Sequence, residues 1–386
     1  MVYTKMVNFT FKFYLRGEIM RKKLLKFYSM LIIVAILSNI SIEVYSKPLR
    51  VNAISAIAID GNTGIVLFEQ NGHKVIPMAS TTKIITCLVA LKYGNLDEKF
   101  EISKNAASIR GSKVGYKSGE TVSLRELLHG LMLKSGNDCA IAIAEGISGS
   151  IEKFCNLMNE YALQIGLVDS HFESPHGLDS MYHYSSAYDL AIATMKAKEI
   201  KEFNDIVSAK LVDGAENGFT RSFQNINKIL YQIPEANGVK TGYTGGAGKC
   251  LVSSVKYDNS DIIIVTLNCN NRWEETKRIY DFVKENYTYK KIVAKDEILG
   301  QVSIGNEKNK IDLVSDRDII IPVKQDQVIG KEVQIPKAVV KKDVEVGENI
   351  GMVVITNEKS VLMKTPLKAT KGFKDKGLMR FIKEAF

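Results

Sequence analysis

Ser80-Thr81-Thr82-Lys83 opens a stretch that continues to Tyr93 and decides the fold of this chain. Apolar residues recur along it with the spacing of a mostly buried helix. Residues three apart share a face at the start of a helix, so the Lys83 amine can reach the Ser80 hydroxyl. A neighbouring base activates a serine, and a desolvated neutral lysine serves as one. S-x-x-K alone is weak evidence, because it occurs by chance in many chains. The alternative is a capping serine followed by a solvated lysine.

A second motif, Ser135-Gly136-Asn137, lies in a break between two helical stretches, Leu124–Met132 and Ala140–Glu145. A second hydroxyl can relay a proton to a leaving amine. The Asn137 amide can donate and accept at once, and so orient a peptide bond. The alternative for this triplet alone is a turn with helix-capping residues.

The third motif, Lys240-Thr241-Gly242, lies on a predicted strand. A strand edge can pair with an extended peptide, and Gly242 has no side chain to block that approach. Lys240 and Thr241 supply a cation and a hydroxyl for a terminal carboxylate. The alternative is a strand end that runs into a glycine turn.

The pattern around these motifs predicts two domains. A hairpin at 53–70, a helical centre, and further strands at 249–256 and 261–268 predict an α+β catalytic domain over residues 47–289, with a sheet flanked by helices. From Lys290 the segments are short, alternating and separated by Gly, Asn and Asp. They predict a small all-β domain, a β-sandwich over residues 290–368.

The formal net charge of +9 is concentrated at the two ends of the chain. Residues 1–46 hold seven Lys or Arg against two Asp or Glu, and residues 371–386 hold five against two. The body between them is nearly neutral and lacks the basic groove that neutralises phosphates, so we expect no nucleic-acid partner. A membrane is the partner expected for the two ends.

The first 46 residues are predicted to be a secretory signal peptide. Arg21-Lys22-Lys23 precede an apolar run from Met30 to Leu37, and residues 44–46 suit cleavage before Lys47. Met20 starts this pattern and is an alternative start of the translated chain. The other interpretation is an uncleaved anchor, but the run is short for the ~20 residues that span a bilayer. We therefore expect an exported protein.

Residues 369–386 are predicted to form an amphipathic tail that binds the membrane surface. Cationic side chains there complement anionic headgroups. Four apolar residues fall near one helical face: Leu378, Met379, Ile382 and Phe386. A short disordered tail is the alternative.

Neither the cysteines nor the histidines show the spacing of a metal or redox site. The five cysteines are scattered singly, and an odd number cannot form a closed disulfide framework. Among the five histidines, His176 and His183 are interpreted as structural loop residues. We expect no cofactor and no metal.

In this order, S-x-x-K, S-x-N and K-T-G are the signature of penicillin-binding proteins and serine β-lactamases. The chain resembles in particular the low-molecular-weight D-alanyl-D-alanine carboxypeptidases, both around the three motifs and in the segments Ser174–Leu178 and His183–Ala191. The similarity runs from about Ala53 to the C-terminus. It implies a penicillin-binding/β-lactamase-like catalytic domain followed by the small all-β domain that these enzymes carry.

The resemblance also implies a serine-type D-Ala-D-Ala carboxypeptidase that trims peptidoglycan stem peptides and is acylated by β-lactam antibiotics. Ser80 would attack the D-Ala-D-Ala carbonyl with Lys83 as base, and water would release the trimmed stem. The oxyanion would lie between the backbone N–H groups of Ser80 and Tyr243. Arg272 matches a family arginine that helps hold the substrate carboxylate. The expected catalytic residues are Ser80, Lys83 and Ser135, and the expected substrate-binding residues are Asn137, Lys240, Thr241, Gly242, Tyr243 and Arg272.

Two departures from the family pattern concern Tyr243, where some members have histidine, and Cys139, where a small residue is usual. A β-lactamase shares the fold, but no E-x-x-L-N loop lies between the second and third motifs, and lactamases lack the second domain. A peptidoglycan endopeptidase uses the same chemistry and generally lacks the C-terminal β domain. A non-catalytic penicillin-recognising module is the remaining alternative. The sequence leaves open the stem-peptide preference, the oligomeric state and a vegetative or sporulation role.

Overall fold

The computed structural model describes residues 18, 20–30, 49–305, 309–325, 327–337, 343–358 and 360–374. The apolar run and cleavage site of the predicted signal peptide, and the apolar face of the predicted tail, lie outside these residues. The chain divides into two units, Met1–Leu49 and Arg50–Phe386. In the first unit, residues 20–30 are helical and exposed. No helix in the described ranges is long and apolar enough to cross a membrane.

The second unit begins and ends with strands and has a helical centre. A short 3-10 helix, Ala79–Thr82, precedes the first α-helix. The helices are α1 (Lys83–Tyr93), α2 (Lys104–Ser108), α3 (Leu124–Leu133), α4 (Asn137–Ser148), α5 (Ile151–Gln164), α6 (Ala187–Lys198), α7 (Lys201–Ser208), α8 (Gly214–Asn217), α9 (Ile229–Gln232) and α10 (Arg272–Asn286). The strands are β1 (Ser55–Asp60), β2 (Val66–Gln70), β3 (Lys99–Glu101), β4 (Thr121–Ser123), β5 (Leu211–Val212), β6 (Phe223–Gln224), β7 (Ala236–Thr244), β8 (Gly248–Tyr257), β9 (Ser260–Leu267), β10 (Tyr287–Val293), β11 (Ile298–Ser303), β12 (Lys310–Val314), β13 (Ile319–Lys324), β14 (Ile329–Gln334), β15 (Asn349–Asn357) and β16 (Val361–Ala369).

A five-stranded antiparallel sheet carries the first domain, with strand order β2-β1-β9-β8-β7. The hairpin predicted at 53–70 forms β1 and β2, and β1 also pairs with β9, from Ser55 opposite Leu267 to Asp60 opposite Ile262. Every residue of β1 is buried, and both α6 and α10 pack on β9. The predicted helix-flanked sheet is therefore confirmed. The sheet pairs strands from the beginning of the domain sequence, β1 and β2, with strands from its end, β7 to β9. Strand β7 lies at one edge of the sheet.

Serine caps start four of the helices in the centre of this domain. The hydroxyls of Ser103, Ser123, Ser150 and Ser186 accept the backbone N–H three residues on, which satisfies a donor that the helix start leaves unpaired. Helix α4 starts at Asn137 and is longer than the predicted stretch 140–145. The apolar pattern did not include Asn137 and Asp138, because these two residues are polar although the fold buries them. The pattern did not predict α7, a short helix whose face holds few buried residues.

In the residues that the structure describes, the second domain has strands and no helix, in agreement with the predicted all-β domain. A five-stranded sheet has the order β11-β12-β16-β15-β14, and β10 pairs with β13 in a separate two-stranded sheet. The phenol groups of β10 reach back to the first sheet. Tyr289 Oη donates to Asp60 Oδ2 at 2.5 Å, and Tyr287 Oη donates to the Leu67 carbonyl at 2.8 Å.

Candidate active site

The candidate nucleophile, Ser80, lies in the 3-10 helix that precedes α1 and not in α1 itself. The preceding residue, Ala79, has a φ of 52°, in the left-handed region that side chains other than glycine rarely adopt. Two threonine hydroxyls hold this turn: Thr81 Oγ1 donates to the Met78 carbonyl at 2.7 Å and Thr82 Oγ1 to the Ala79 carbonyl at 2.8 Å. The turn presents a half-buried Ser80 beside Lys83.

The Lys83 amine is fully buried and has three neighbours within hydrogen-bond distance. Nζ lies 2.9 Å from Ser80 Oγ, 2.8 Å from Asn137 Oδ1 and 2.7 Å from the His176 carbonyl. The amide of Asn137 is oriented by its own donation, from Nδ2 to the Arg110 carbonyl at 2.8 Å, so its oxygen faces the lysine. Burial first, and then the nearby Lys240 cation, hold the pKa of Lys83 well below its usual value.

These neighbours suit a neutral Lys83. A neutral amine has two N–H donors and one lone pair, and the Asn137 and His176 oxygens can only accept. They therefore take the two N–H groups, and the lone pair is left for the Ser80 hydroxyl. The arrangement is that of a base poised to remove the Ser80 proton.

Ser135 and Asn137 approach this lysine from the break between α3 and α4. Ser135 has a φ of 61° and is 4% exposed. Its hydroxyl makes no hydrogen bond to the part of the chain that the structure describes, which leaves it available to a ligand. The buried Asp138 carboxylate fixes this corner, since it accepts the backbone N–H groups of Val114 and Gly115 at 3.1 and 2.8 Å.

Strand β7 forms the opposite side of the site and brings Lys240, Thr241 and Gly242 to it. A Cβ at Gly242 would lie 3.1 Å from the Ser80 amide nitrogen and from the Met78 carbonyl, so only glycine fits without displacing the 3-10 helix. Lys240 is 1% exposed, and its Nζ donates to the Thr241 carbonyl at 2.9 Å. Burial, with the Arg272 guanidinium, lowers the pKa of Lys240 to about 7.

Arg272 and Tyr243 lie at the same end of the sheet. Arg272 is the first residue of α10, and its Nη1 donates to the Gly242 carbonyl at 2.6 Å and to the Cys250 carbonyl at 2.9 Å. Its Nε is buried without a partner in the described ranges. The guanidinium is thus half-buried at the end of β7. The Tyr243 side chain is 67% exposed.

A series of hydrogen bonds through the His183 side chain supports the Ser80 turn. The sequence analysis did not assign His183 to the site. His183 Nδ1 accepts the Glu173 backbone N–H at 3.0 Å, so the proton of this neutral ring is on Nε2, which lies 2.8 Å from Thr82 Oγ1. Thr82 in turn donates to the Ala79 carbonyl. Burial lowers the pKa of His183 to about 4, which keeps the ring neutral. The motif pattern gives no signal for this contact, because 101 residues separate its partners.

The cysteines take no part in the proton-transfer contacts. All five are buried and free. Cys139 lies close beneath the second motif, since a Cβ at Gly136 would come within 2.7 Å of its sulfur. Burial, and then Asp138, raise the pKa of the Cys139 thiol. A protonated thiol is a poor nucleophile. No group of three or more His, Cys, Asp or Glu that could hold a metal occurs in the described ranges.

The folded chain therefore brings the three motifs together. Ser80, Lys83 and Asn137 are in direct contact, and Ser135 lies two residues from Asn137. Gly242 packs against the Ser80 backbone, and Lys240 is near enough to lower the pKa of Lys83. The site holds a serine, a buried base, a second hydroxyl and a cation at the edge of a sheet. It has the groups needed for acyl transfer on a peptide with a carboxylate end.

Two family models match the chain. Residues 42–271 match the family of D-alanyl-D-alanine carboxypeptidases, and residues 287–374 match the penicillin-binding protein 5 C-terminal domain. The first match covers more than half of the chain.

Similar proteins are found among curated sequences and solved structures. D-alanyl-D-alanine carboxypeptidase DacF of Bacillus subtilis is 32% identical, with coverage of 86% of this chain and 88% of that protein. A D-alanyl-D-alanine endopeptidase of Pseudomonas aeruginosa is 29% identical over 57% of this chain and 72% of that protein. The crystal structure of penicillin binding protein 5 from Haemophilus influenzae is 27% identical, has a TM-score of 0.72, and covers 85% of this chain and 99% of that chain.

Proposed function

The chain belongs to the D-alanyl-D-alanine carboxypeptidase family, and from that premise we propose that it removes the terminal D-alanine from peptidoglycan stem peptides through an acyl-enzyme on Ser80. It is a serine-type D-Ala-D-Ala carboxypeptidase and a low-molecular-weight penicillin-binding protein. The observation that carries the proposed mechanism is the buried Lys83 amine, 2.9 Å from Ser80 Oγ, with both of its N–H groups occupied by other acceptors.

Acylation starts with the transfer of the Ser80 proton to the neutral Lys83 amine. Ser80 Oγ bonds to the carbonyl carbon between the two D-alanines, and the carbonyl oxygen becomes an oxyanion. The backbone N–H groups of Ser80 and Tyr243 stabilise this charge, a contribution that is often the largest in acyl transfer. The C–N bond then breaks, and Ser135 relays the proton held by Lys83 to the departing amine of D-alanine. Water attacks the resulting ester and restores the Ser80 hydroxyl.

The sheet side of the site binds the other end of the substrate. An ammonium group has three donors, and Lys240 uses one of them on Thr241 within the described ranges. The others remain for the C-terminal carboxylate, together with the Thr241 hydroxyl and the Arg272 guanidinium. The free edge of β7 pairs with the extended stem, and the Asn137 amide orients its peptide bond. β-Lactam antibiotics acylate the same serine.

We place the enzyme outside the cytoplasmic membrane, where its peptidoglycan substrate lies. The predicted signal peptide, residues 1–46, and the predicted amphipathic tail, residues 369–386, support export and attachment to the membrane surface. N-terminal sequencing of the exported protein should give Lys47. Sedimentation with anionic liposomes should retain the full chain more than a chain that ends at Lys371, and equal binding of the two would contradict the tail proposal.

The test of the function is D-alanine release from a synthetic pentapeptide stem by the purified chain. Wild type should release one D-alanine per stem and should be labelled by a fluorescent penicillin. Ser80→Ala should do neither, whereas Ser208→Ala, at an exposed serine at the end of α7, should behave as wild type. Persistent labelling of Ser80→Ala would refute the nucleophile. Cleavage of cross-linked stems without D-alanine release would indicate an endopeptidase instead.

A further inference from the structure

A cavity of about 420 Å³ lies beside the second motif and takes no part in the proposed chemistry. Three of its six lining residues are cationic. The lining residues are Lys113, Val114, Lys134, Arg221, Ser222 and Phe223.

The cavity shares a wall with the candidate site. Lys134 directly precedes Ser135, and a Cβ at Gly136 would lie 3.1 Å from Val114 Cγ2. The Asn137 backbone N–H donates to the Ser112 carbonyl at 2.7 Å, next to Lys113. A stem peptide bound to Asn137 therefore has this cavity within reach of its upstream residues.

The cations of the cavity differ in how far they are already neutralised. Arg221 forms an ion pair with Glu120, at 2.9 Å from Nη1 to Oε2, and lies over the Tyr116 ring. Among the residues that the structure describes, Lys113 Nζ donates only to the Ala107 carbonyl, at 3.3 Å, and Lys134 Nζ has no partner. Two ammonium groups thus remain for a ligand.

The neighbouring carboxylates are occupied. Glu126 is buried, and its oxygens accept from Tyr116 and Thr220. The Asp138 oxygens accept backbone N–H groups, as described above. No carboxylate within these contacts is therefore placed to pair with Lys113 or Lys134.

We propose that this cavity binds a free carboxylate of the stem peptide upstream of the D-Ala-D-Ala bond, through Lys113 and Lys134. The inference rests on the proposed function and adds a substrate preference to it. Stems that carry a free acid are better substrates than stems in which the same acid is amidated. The carboxylate comes either from the second residue of the stem, a γ-linked glutamate, or from a diamino acid at the third.

The experiment compares four synthetic pentapeptide stems and the full chain. One stem carries both acids, two carry an amide at the second or the third residue, and one carries both amides. We expect one of the two amidations to lower kcat/KM for D-alanine release by about tenfold, which corresponds to one charge-assisted contact. The position of that amidation identifies which carboxylate binds.

Variants connect this preference to the cavity. Lys113→Gln combined with Lys134→Gln should reduce the ratio of acidic to amidated kcat/KM towards one. Lys153→Gln, at an exposed lysine of α5, should leave the ratio at its wild-type value. The comparison of the four stems with the wild-type chain needs no variant. It therefore still tests the proposal if the double variant fails to fold.

The outcomes separate the two proposals. If the wild-type chain releases D-alanine from all four stems at equal kcat/KM, the carboxylate site is wrong and the proposed function stands. The same conclusion follows if the double variant is still labelled by penicillin and keeps the wild-type ratio of acidic to amidated kcat/KM. Absence of release from every stem would overturn the proposed function, and this inference with it.

Discussion

The two sides of the site each bury a lysine and lower its pKa, but they leave its amine in different situations. On the helical side, Lys83 has three oxygen neighbours, from Ser80, Asn137 and His176. On the sheet side, Lys240 donates to one carbonyl, that of Thr241. Burial alone therefore does not define a role. The helical side is arranged for proton transfer within the protein, and the sheet side keeps donors available for a ligand.

The largest effect is expected for Lys83→Met, which keeps the length of the side chain and removes the amine. Loss of a general base typically costs 10²–10⁴-fold. We therefore expect the rate constant of penicillin acylation to fall by about that factor. Stopped-flow fluorescence measures it, with Lys92→Met as the control at an exposed lysine of the same helix. A near-normal rate would remove Lys83 from the proton transfer.

A smaller effect is expected for Lys240→Met. Hydrogen bonds to charged groups contribute about 1.5–3 kcal/mol, so kcat/KM for a pentapeptide stem should fall about ten- to a hundredfold. Most of the loss should appear in KM, because the carboxylate is bound before the reaction begins. Lys249→Met, at an exposed lysine of β8, is the matched control. If kcat fell by the same factor as kcat/KM while KM stayed unchanged, Lys240 as well as Lys83 would act on the chemical step.

A pair of glycines tests how firmly the helical side is held. Gly149 and Gly177 have φ values of 74° and 85°, but a Cβ at Gly149 would meet no atom within 4 Å, whereas one at Gly177 would lie 2.0 Å from the Ala79 carbonyl oxygen. Gly149→Ala should lower the free energy of unfolding by about 1 kcal/mol, from backbone conformation alone. Gly177→Ala should lower it further and also slow acylation, because the Ser80 turn must move.

Urea denaturation and penicillin acylation measure the two effects on the same preparations. Equal losses of stability, with acylation unchanged in both variants, would show that the Ser80 turn tolerates displacement.

The smallest effect concerns pH. Lys83 must be neutral and Lys240 protonated, so kcat/KM should rise with pH through the lowered pKa of Lys83 and fall through the pKa of Lys240, about 7. Between pH 7 and pH 8 that fall amounts to about fivefold. In the profile of kcat the falling limb should lie at higher pH, because a bound carboxylate favours the ammonium.

Lys240→Arg separates the two lysines in this profile. Arginine stays charged throughout the range, so the falling limb of kcat/KM should move to higher pH while the rising limb stays. A falling limb that did not move would assign it to a group other than Lys240.

Much of the fold could be predicted from the sequence because the signals are local. The hairpin at 53–70 and the helix that ends at Tyr93 follow from turn residues and apolar spacing, and both are present. The pattern did not predict α7 or the 3-10 geometry at Ser80. The conformation of Ala79 at a φ of 52° depends on Thr82, His183 and the packed Gly177, and not on the alanine itself.

Three short motifs named Ser80, Lys83, Asn137 and Lys240, which the folded chain brings close together, because each motif combines chemistry at a fixed spacing. The catalytic and binding roles of the site residues stay predictions. The order of the motifs identified the family that the comparisons then showed. His183 and the cavity at Lys113 and Lys134 could not be found in this way, since their partners belong to other segments.

Residue type and spacing along the chain were thus enough to predict the order of the motifs, the strands and helices that carry them, and the class of reaction. The state of the lysines depends on the folded chain. Lys83 meets Asn137 and His176, which lie 54 and 93 residues away along the chain, and the same contacts remove it from water. The pKa of a side chain depends on its burial and on its neighbours, and both arise only when distant segments pack together.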